Sequence, residues 1–112
     1  MLPYIHRLDS KHLKSIYNDG EKYRGEFGML VVKEFDKGPC QFAFVVSKKI
    51  GNAVQRHAMT RLLRQITIET LKEYGLENKP YKCQYIAFKY CNTYEKLKDE
   101  YSKQIRMAFT NS

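Results

Sequence analysis

The sequence predicts a small α+β domain: a single-domain sandwich of order α-β-β-α-β-α, with helices packed on a mainly antiparallel sheet. Three observations carry that prediction. Short runs of β-branched and aromatic residues alternate with longer stretches of helical periodicity. Turn residues mark each change of period. The 112 residues, 43% of them hydrophobic, suffice for one modest core, so residues 1–112 are read as one domain.

Residues 1–8 read as an extended arm containing Pro3, His6 and Arg7. Asp9 or Ser10 is placed to cap a short helix over residues 11–18. Its apolar positions Leu13, Ile16 and Tyr17 follow i, i+3, i+4 spacing, and Gly20 is the expected stop. Residues 27–35 and 41–47 read as strands, joined through the turn signal Asp36-Lys37-Gly38-Pro39 into an expected hairpin. Ile50-Gly51-Asn52-Ala53 breaks the second strand, and Asn52 is placed to cap a long helix running to Tyr74. Residues 75–80 form a loop and residues 82–90 a third strand. Asn92, followed three residues later by Glu95, resembles a capping arrangement. The last helix spans residues 94–109, with Tyr94, Leu97, Tyr101, Ile105 and Ala108 on one face.

The formal charge of +8 points to a polyanionic partner, nucleic acid before an anionic membrane. Its distribution is more telling. Of 20 basic and 12 acidic residues, six basic and no acidic ones fall within residues 37–68. They are Lys37, Lys48, Lys49, Arg56, Arg61 and Arg64. A merely solvated face usually mixes both signs.

Helical steps of about 100° sharpen the pattern. With Arg56 at zero, Arg64 falls at about 80° and Arg61 at about 140°. Leu62, Ile66, Met59 and Leu63 fall at about 240°, 280°, 300° and 340°. The arginines therefore share one arc, with the apolar stripe roughly opposite. Guanidinium forks match phosphate oxygens and stay charged at any working pH. The helix N-terminus adds N–H groups and partial positive charge beside Lys48 and Lys49. This pattern does not separate RNA from DNA.

Cys40, Cys83 and Cys91 are odd in number and show no CxxC spacing, so free thiols in a reducing cytoplasm are expected, with neither disulfide nor zinc. His6, His12 and His57 have no metal-ligand spacing. The opening MLPYIHRLDSK lacks the apolar core of a signal peptide, and no run approaches a membrane span, so a cytoplasmic protein without a membrane partner is expected. Ser47 and His57 lack the motif context and paired acid of a nucleophilic site. The acid-free window argues against carboxylate acid–base or two-metal chemistry there, so no catalytic residue is assigned. Phe42, Phe44 and Val46 alternate with Ala43, Val45 and Ser47. One set faces a helix layer and the other is free to floor a cleft, and the alternation does not say which.

The stretch FVVSKKIGNAVQRHAMTRLLR, residues 44–64, resembles the signature of the ribonuclease P protein component, approximately VSKK(V/I)GNAVxRNxxKRxxR. His6-Arg7-Leu8, Ile16-Tyr17 and Gly20 fit the same family, as does Tyr85-Ile86-Ala87-Phe88-Lys89. The resemblance spans essentially the whole chain. It implies a ribosomal protein S5 domain 2-like fold. It further implies a role in binding ribonuclease P RNA and the single-stranded 5′ leader of precursor tRNA, one protein per RNA. Cleavage would be carried by the RNA with Mg²⁺ that the RNA mainly holds.

Carried over by position, the resemblance places RNA contacts at Ser47, Lys48, Lys49, Asn52, Arg56, His57, Thr60, Arg61 and Arg64. It places the leader cleft at Leu13, Tyr17, Phe44 and Lys89. Three positions depart from the family pattern: His57 stands for Asn, Thr60 for Lys, and Leu13 for an aromatic. The alternative reading is a non-catalytic module for structured RNA, such as a ribosome-associated protein or an RNA chaperone. An enzyme with its own active site is the third.

Overall fold

A 3-10 turn at Ser10–His12 leads into helix α1, Leu13–Asp19, in the computed structural model, which describes residue 8 and residues 10–110. The expected arm at Pro3, His6 and Arg7, and Asp9, lie outside the described residues. Helix α1 starts later than the sequence suggests. His12 precedes it without a side-chain cap, and Gly20 ends it by donating its N–H to the Ile16 carbonyl at 2.7 Å.

The strands are β1 (Glu21–Arg24), β2 (Gly28–Glu34), β3 (Gln41–Val45) and β4 (Tyr81–Ala87). Helix α2 spans Ala53–Tyr74 and α3 spans Tyr94–Thr110. Sequence reasoning missed β1, because Glu-Lys-Tyr-Arg turns only Tyr23 inward and looks like a charged loop. Asn92 lies two residues before α3, so the capping position falls to Thr93, whose carbonyl accepts from the Leu97 N–H at 3.0 Å.

The four strands run in the order β1-β2-β4-β3. The β1–β2 and β2–β4 pairs are antiparallel and β3–β4 is parallel, so the sheet is mixed. This corrects the expected hairpin between β2 and β3: β4 is inserted between them. The turn residues lean on the segment entering β4 instead of closing on each other. Phe35 N–H donates to the Pro80 carbonyl at 2.7 Å and Cys40 N–H to the Glu77 carbonyl at 3.2 Å. Strand β4 buries Tyr81, Cys83, Gln84, Tyr85 and Ala87. A strand buried on both faces needs a partner on each edge.

Alternation along the strands separates two cores. Leu30, Val32, Phe42, Cys83 and Tyr85 face α2 and α3 and pack with Met59, Leu63, Ile66, Leu97, Tyr101 and Ile105. On the opposite face, Met29 and Val31 pack with Ile16 of α1. The Tyr85 and Tyr101 rings meet edge-on at 4.8 Å, and the Tyr101 hydroxyl hydrogen-bonds Thr67 of α2 at 2.8 Å. Cys40, Cys83 and Cys91 are buried thiols. Burial pushes the Cys40 thiol up to about 12 and raises Cys83 well above its ordinary value. Both therefore stay protonated and act as small apolar groups.

Gly28 sits directly against the Tyr85 ring, where a Cβ would collide with the phenol end. That ring is held by Tyr101 and cannot retreat cheaply. Gly28→Ala is expected to lower stability by about 1–3 kcal/mol, the usual range for overpacking, read from urea denaturation midpoints. An unchanged midpoint would show that the ring moves freely.

Candidate nucleic-acid interface

Strand β3 ends at Val45, and the chain turns through residues 47–50 with Ile50 N–H donating to the Ser47 carbonyl at 3.0 Å. Ile50 is buried, which leaves Ser47, Lys48 and Lys49 exposed on the turn before α2. Asn52 caps α2 as expected. Its Oδ1 accepts the Gln55 N–H at 2.8 Å, and its own N–H donates to Gln55 Oε1 at 2.9 Å. This reciprocal box closes two of the donors that an anion would otherwise find at the helix start. Gly51 lies where a Cβ would strike the Gln55 side chain, so the box needs glycine there.

The buried residues of α2 are Met59, Leu63, Ile66, Thr67, Thr70 and Leu71. Thr67 and Leu71, at about 20° and 60° on the helical wheel, carry the buried arc past Arg56. The three arginines therefore do not share one outward arc. Arg61 is exposed, while Arg56 and Arg64 are half-buried. The Arg56 Nε is enclosed without a hydrogen-bond partner. The stripe expected from Leu62, Ile66, Met59 and Leu63 omits Thr67 and Leu71, which widen the buried arc. His57 is exposed beside Arg61. Thr60 is half-buried, and its hydroxyl donates to the Arg56 carbonyl at 2.8 Å, so its donor is already used.

Among the described residues, no carboxylate comes within ion-pair range of Lys48, Lys49, Arg56, Arg61 or Arg64. The first acid on α2, Glu69, is held by its neighbours. The Tyr94 hydroxyl donates to it, Gln65 Nε2 donates at 3.2 Å, and Lys98 Nζ lies at 3.6 Å. The Tyr94 bond first, with Gln65 and Lys98 adding to it, lowers the Glu69 carboxyl below its ordinary value.

The leader-cleft set is divided. Leu13 is half-buried and Tyr17 exposed on α1. Phe44 is on the other side of the sheet, stacked on Phe42 at 6.4 Å and packed against the α2–α3 core. Phe42, Phe44 and Val46 thus form the helix-facing set, and Phe44 does not line a cleft with Tyr17. Lys89 follows β4 and is paired with Glu26 at 2.6 Å in the β1–β2 turn. Its hydrogen bond and charge lower the Glu26 carboxyl.

The α1-facing side of the sheet has cations that sequence reasoning missed. Lys22 lies 4.7 Å from the Tyr17 ring centroid and donates to the Tyr17 carbonyl at 2.8 Å. Arg24 lies 5.1 Å from the Phe88 ring centroid. Both come from β1, so an alternating Lys-Tyr-Arg was the available signal. Cations interleaved with exposed aromatic rings suit a single nucleic-acid strand, which offers phosphates and stacking faces together.

Fold and surface together define a small basic α+β domain with a cationic helix face. A family model described as ribonuclease P matches residues 2–110. The chain belongs to the ribonuclease P protein family. The ribonuclease P protein component of Kocuria rhizophila is 35% identical over 74 residues, 65% of this chain and 66% of the relative. That of Fusobacterium nucleatum is 35% identical over 52 residues, 46% of this chain and 47% of the relative. The matched segments thus span just under two thirds and about half of these relatives' lengths. The Staphylococcus aureus RNase P protein shares the fold with a TM-score of 0.73 at 18% identity, covering 94% of this chain and 98% of that one. The Thermotoga maritima RNase P protein, in complex with 1-(4-fluorophenyl)-2-thiourea, gives 0.64 at 20% identity over 94% of each chain.

Glu69 has a lowered pKa, so its contribution to stability is present above the ordinary value of 4.5 and is lost as pH falls through the folded-state value. Tyr94→Phe removes the main cause. Its stability deficit against the unaltered protein is expected to be largest at neutral pH and to shrink below about pH 4, measured by urea melts across pH 3–7. A deficit constant with pH would assign the Tyr94 bond a purely packing role.

Proposed function

We propose that this protein is the protein subunit of a ribonuclease P holoenzyme, assisting Mg²⁺-dependent removal of the 5′ leader from precursor tRNA in the cytoplasm. One copy binds the catalytic RNA through Ser47, Lys48, Lys49, His57, Arg61 and Arg64. Arg56 adds charge from the flank, and Asn52 sets the helix start. The 5′ leader is met by the α1-facing side of the sheet, through Tyr17, Lys22 and Arg24, with Leu13 beside them.

The carrying observation is the surface from Lys48 to Arg64, which no carboxylate pairs among the described residues, in a chain of this family. Unpaired guanidinium and ammonium groups satisfy phosphates. Mg²⁺ instead requires oxygen ligands, commonly carboxylates and phosphate oxygens. The α2 surface does not fit Mg²⁺, so the metal that the family implies falls to RNA oxygens. The protein's own contribution is to bind, orient and neutralise.

The test is cleavage of precursor tRNA by the cognate RNA with and without the protein across a Mg²⁺ series. The protein is expected to permit cleavage at lower Mg²⁺ than the RNA alone. Binding without stimulation at any Mg²⁺ would leave only a structured-RNA module.

Arg61→Ala and Arg64→Ala are each expected to weaken RNA binding roughly tenfold and to reduce the salt slope by about 0.7–0.9 for every phosphate left without its cation. Arg56→Ala should affect RNA binding less and stability more, because its side chain is half-buried in the helix flank. Filter binding across a salt series, together with urea melts, separates these effects.

A further inference from the structure

The outer side of α2 is not a flat cationic face. An open groove of about 780 Å³ runs along it, lined by His57, Arg61, Arg64, Gln65 and Glu69 and by Asn92 from the β4–α3 loop. Its floor is apolar: Ala58, Leu62 and Ile68 line it, and Leu62 and Ile68 are half-buried hydrophobics that also touch the core. The volume lies within the roughly 300–1,000 Å³ of clefts that hold a small ligand.

We propose that this groove receives one unstacked nucleobase of the partner RNA while Arg61 and Arg64 hold its flanking phosphates. This rests on the reading of the protein as a ribonuclease P subunit and adds a site to it. Cations alone would suit a phosphate ridge on a flat helix, and an apolar floor among them has no such use. A nucleotide provides both halves, an anion and an apolar plane. Single-stranded RNA is commonly recognised through splayed bases with hydrogen bonds to their edges.

Polar groups are present for such an edge. The Asn92 side chain is exposed and offers both a donor and an acceptor. Gln65 commits its Nε2 to Glu69, which leaves its Oε1 to accept. Glu69 would repel a nucleotide if its charge were free, but Tyr94, Gln65 and Lys98 engage it. The groove is on the α2 side of the sheet, away from Tyr17 and Lys22, so it is separate from the surface proposed for the leader.

Ala58→Trp fills the groove without removing a charge, and Asn92→Ala removes the edge contact at an exposed side chain that lies outside the core. With the cognate catalytic RNA, Ala58→Trp is expected to weaken binding about tenfold and Asn92→Ala severalfold. Both should leave the salt slope unchanged, since every phosphate keeps its cation, which sets them apart from the arginine variants. Probing the RNA with dimethyl sulfate and a carbodiimide should reveal a base edge shielded by the unaltered protein and reactive again with both variants. Urea melts confirm folding, and Asn92→Ala carries the test if Ala58→Trp is unstable. Tight RNA binding by both variants, with the same shielded bases, overturns the groove assignment alone and is the result expected if an acidic protein segment occupies it. Failure of the unaltered protein to bind the RNA overturns the assignment together with the underlying reading.

Discussion

The rotational setting of α2 governs what this protein shows to a partner. A helix turns about 100° per residue, so a small rotation would exchange arginines for core residues. Met59, Leu63 and Ile66 set the angle by packing into the core shared with α3 and the sheet. The Thr67–Tyr101 hydrogen bond fixes it further, because a buried hydroxyl pair tolerates little rotation before one partner is stranded. The Asn52–Gln55 box settles where the helix begins. With start and angle fixed, Arg61 and His57 face out and Arg56 is drawn to the flank.

That setting depends in turn on β4. The strand lies between an antiparallel and a parallel neighbour, and α2 is the connection that makes the parallel pair possible. Tyr85 links the layers: its ring lies under Gly28, against Tyr101, and within the α2–α3 core. The cationic surface is thus carried by a helix anchored in the larger of the two cores. A rigid carrier holds its charges at fixed spacing, so phosphate binding costs less in ordering.

Much of this was legible in the chain. The length of α2, its cap at Asn52 and its stop at Tyr74 followed from periodicity and Ile50-Gly51-Asn52-Ala53, because helix ends are local. The β2–β3 hairpin was not, because Asp36-Lys37-Gly38-Pro39 is a sound turn whichever strand comes next. Insertion of β4 depends on which strand is buried on both faces, a property of the whole sheet. Strand β1 and its cations escaped for the same reason, since a four-residue charged segment becomes a strand only beside β2. Thr67 escaped the apolar stripe, as polar residues do when their hydroxyls are enclosed. Phe44 illustrates the limit of alternation: it gave two faces correctly and could not say which met the helices.

The two sides of the sheet have different chemistry, and this bears on how one small domain could hold two RNA segments. On the α1 side, charge alternates with aromatic rings, Lys22 with Tyr17 and Arg24 with Phe88. Such a surface tolerates any base, since every base has a stacking face. On the α2 side, arginines border an apolar groove with amides at its edges. Such a surface discriminates by shape and hydrogen bonding. On the proposed reading, the variable leader meets the tolerant side and the invariant catalytic RNA meets the selective one. Glu100 ties the sides together. Its carboxylate, on α3, accepts the Glu26 N–H at 2.5 Å and the Phe27 N–H at 2.9 Å, fixing the β1–β2 turn that follows Arg24. A displacement of α3 would therefore reach β1 through this turn, so the two surfaces are best regarded as one rigid spacer.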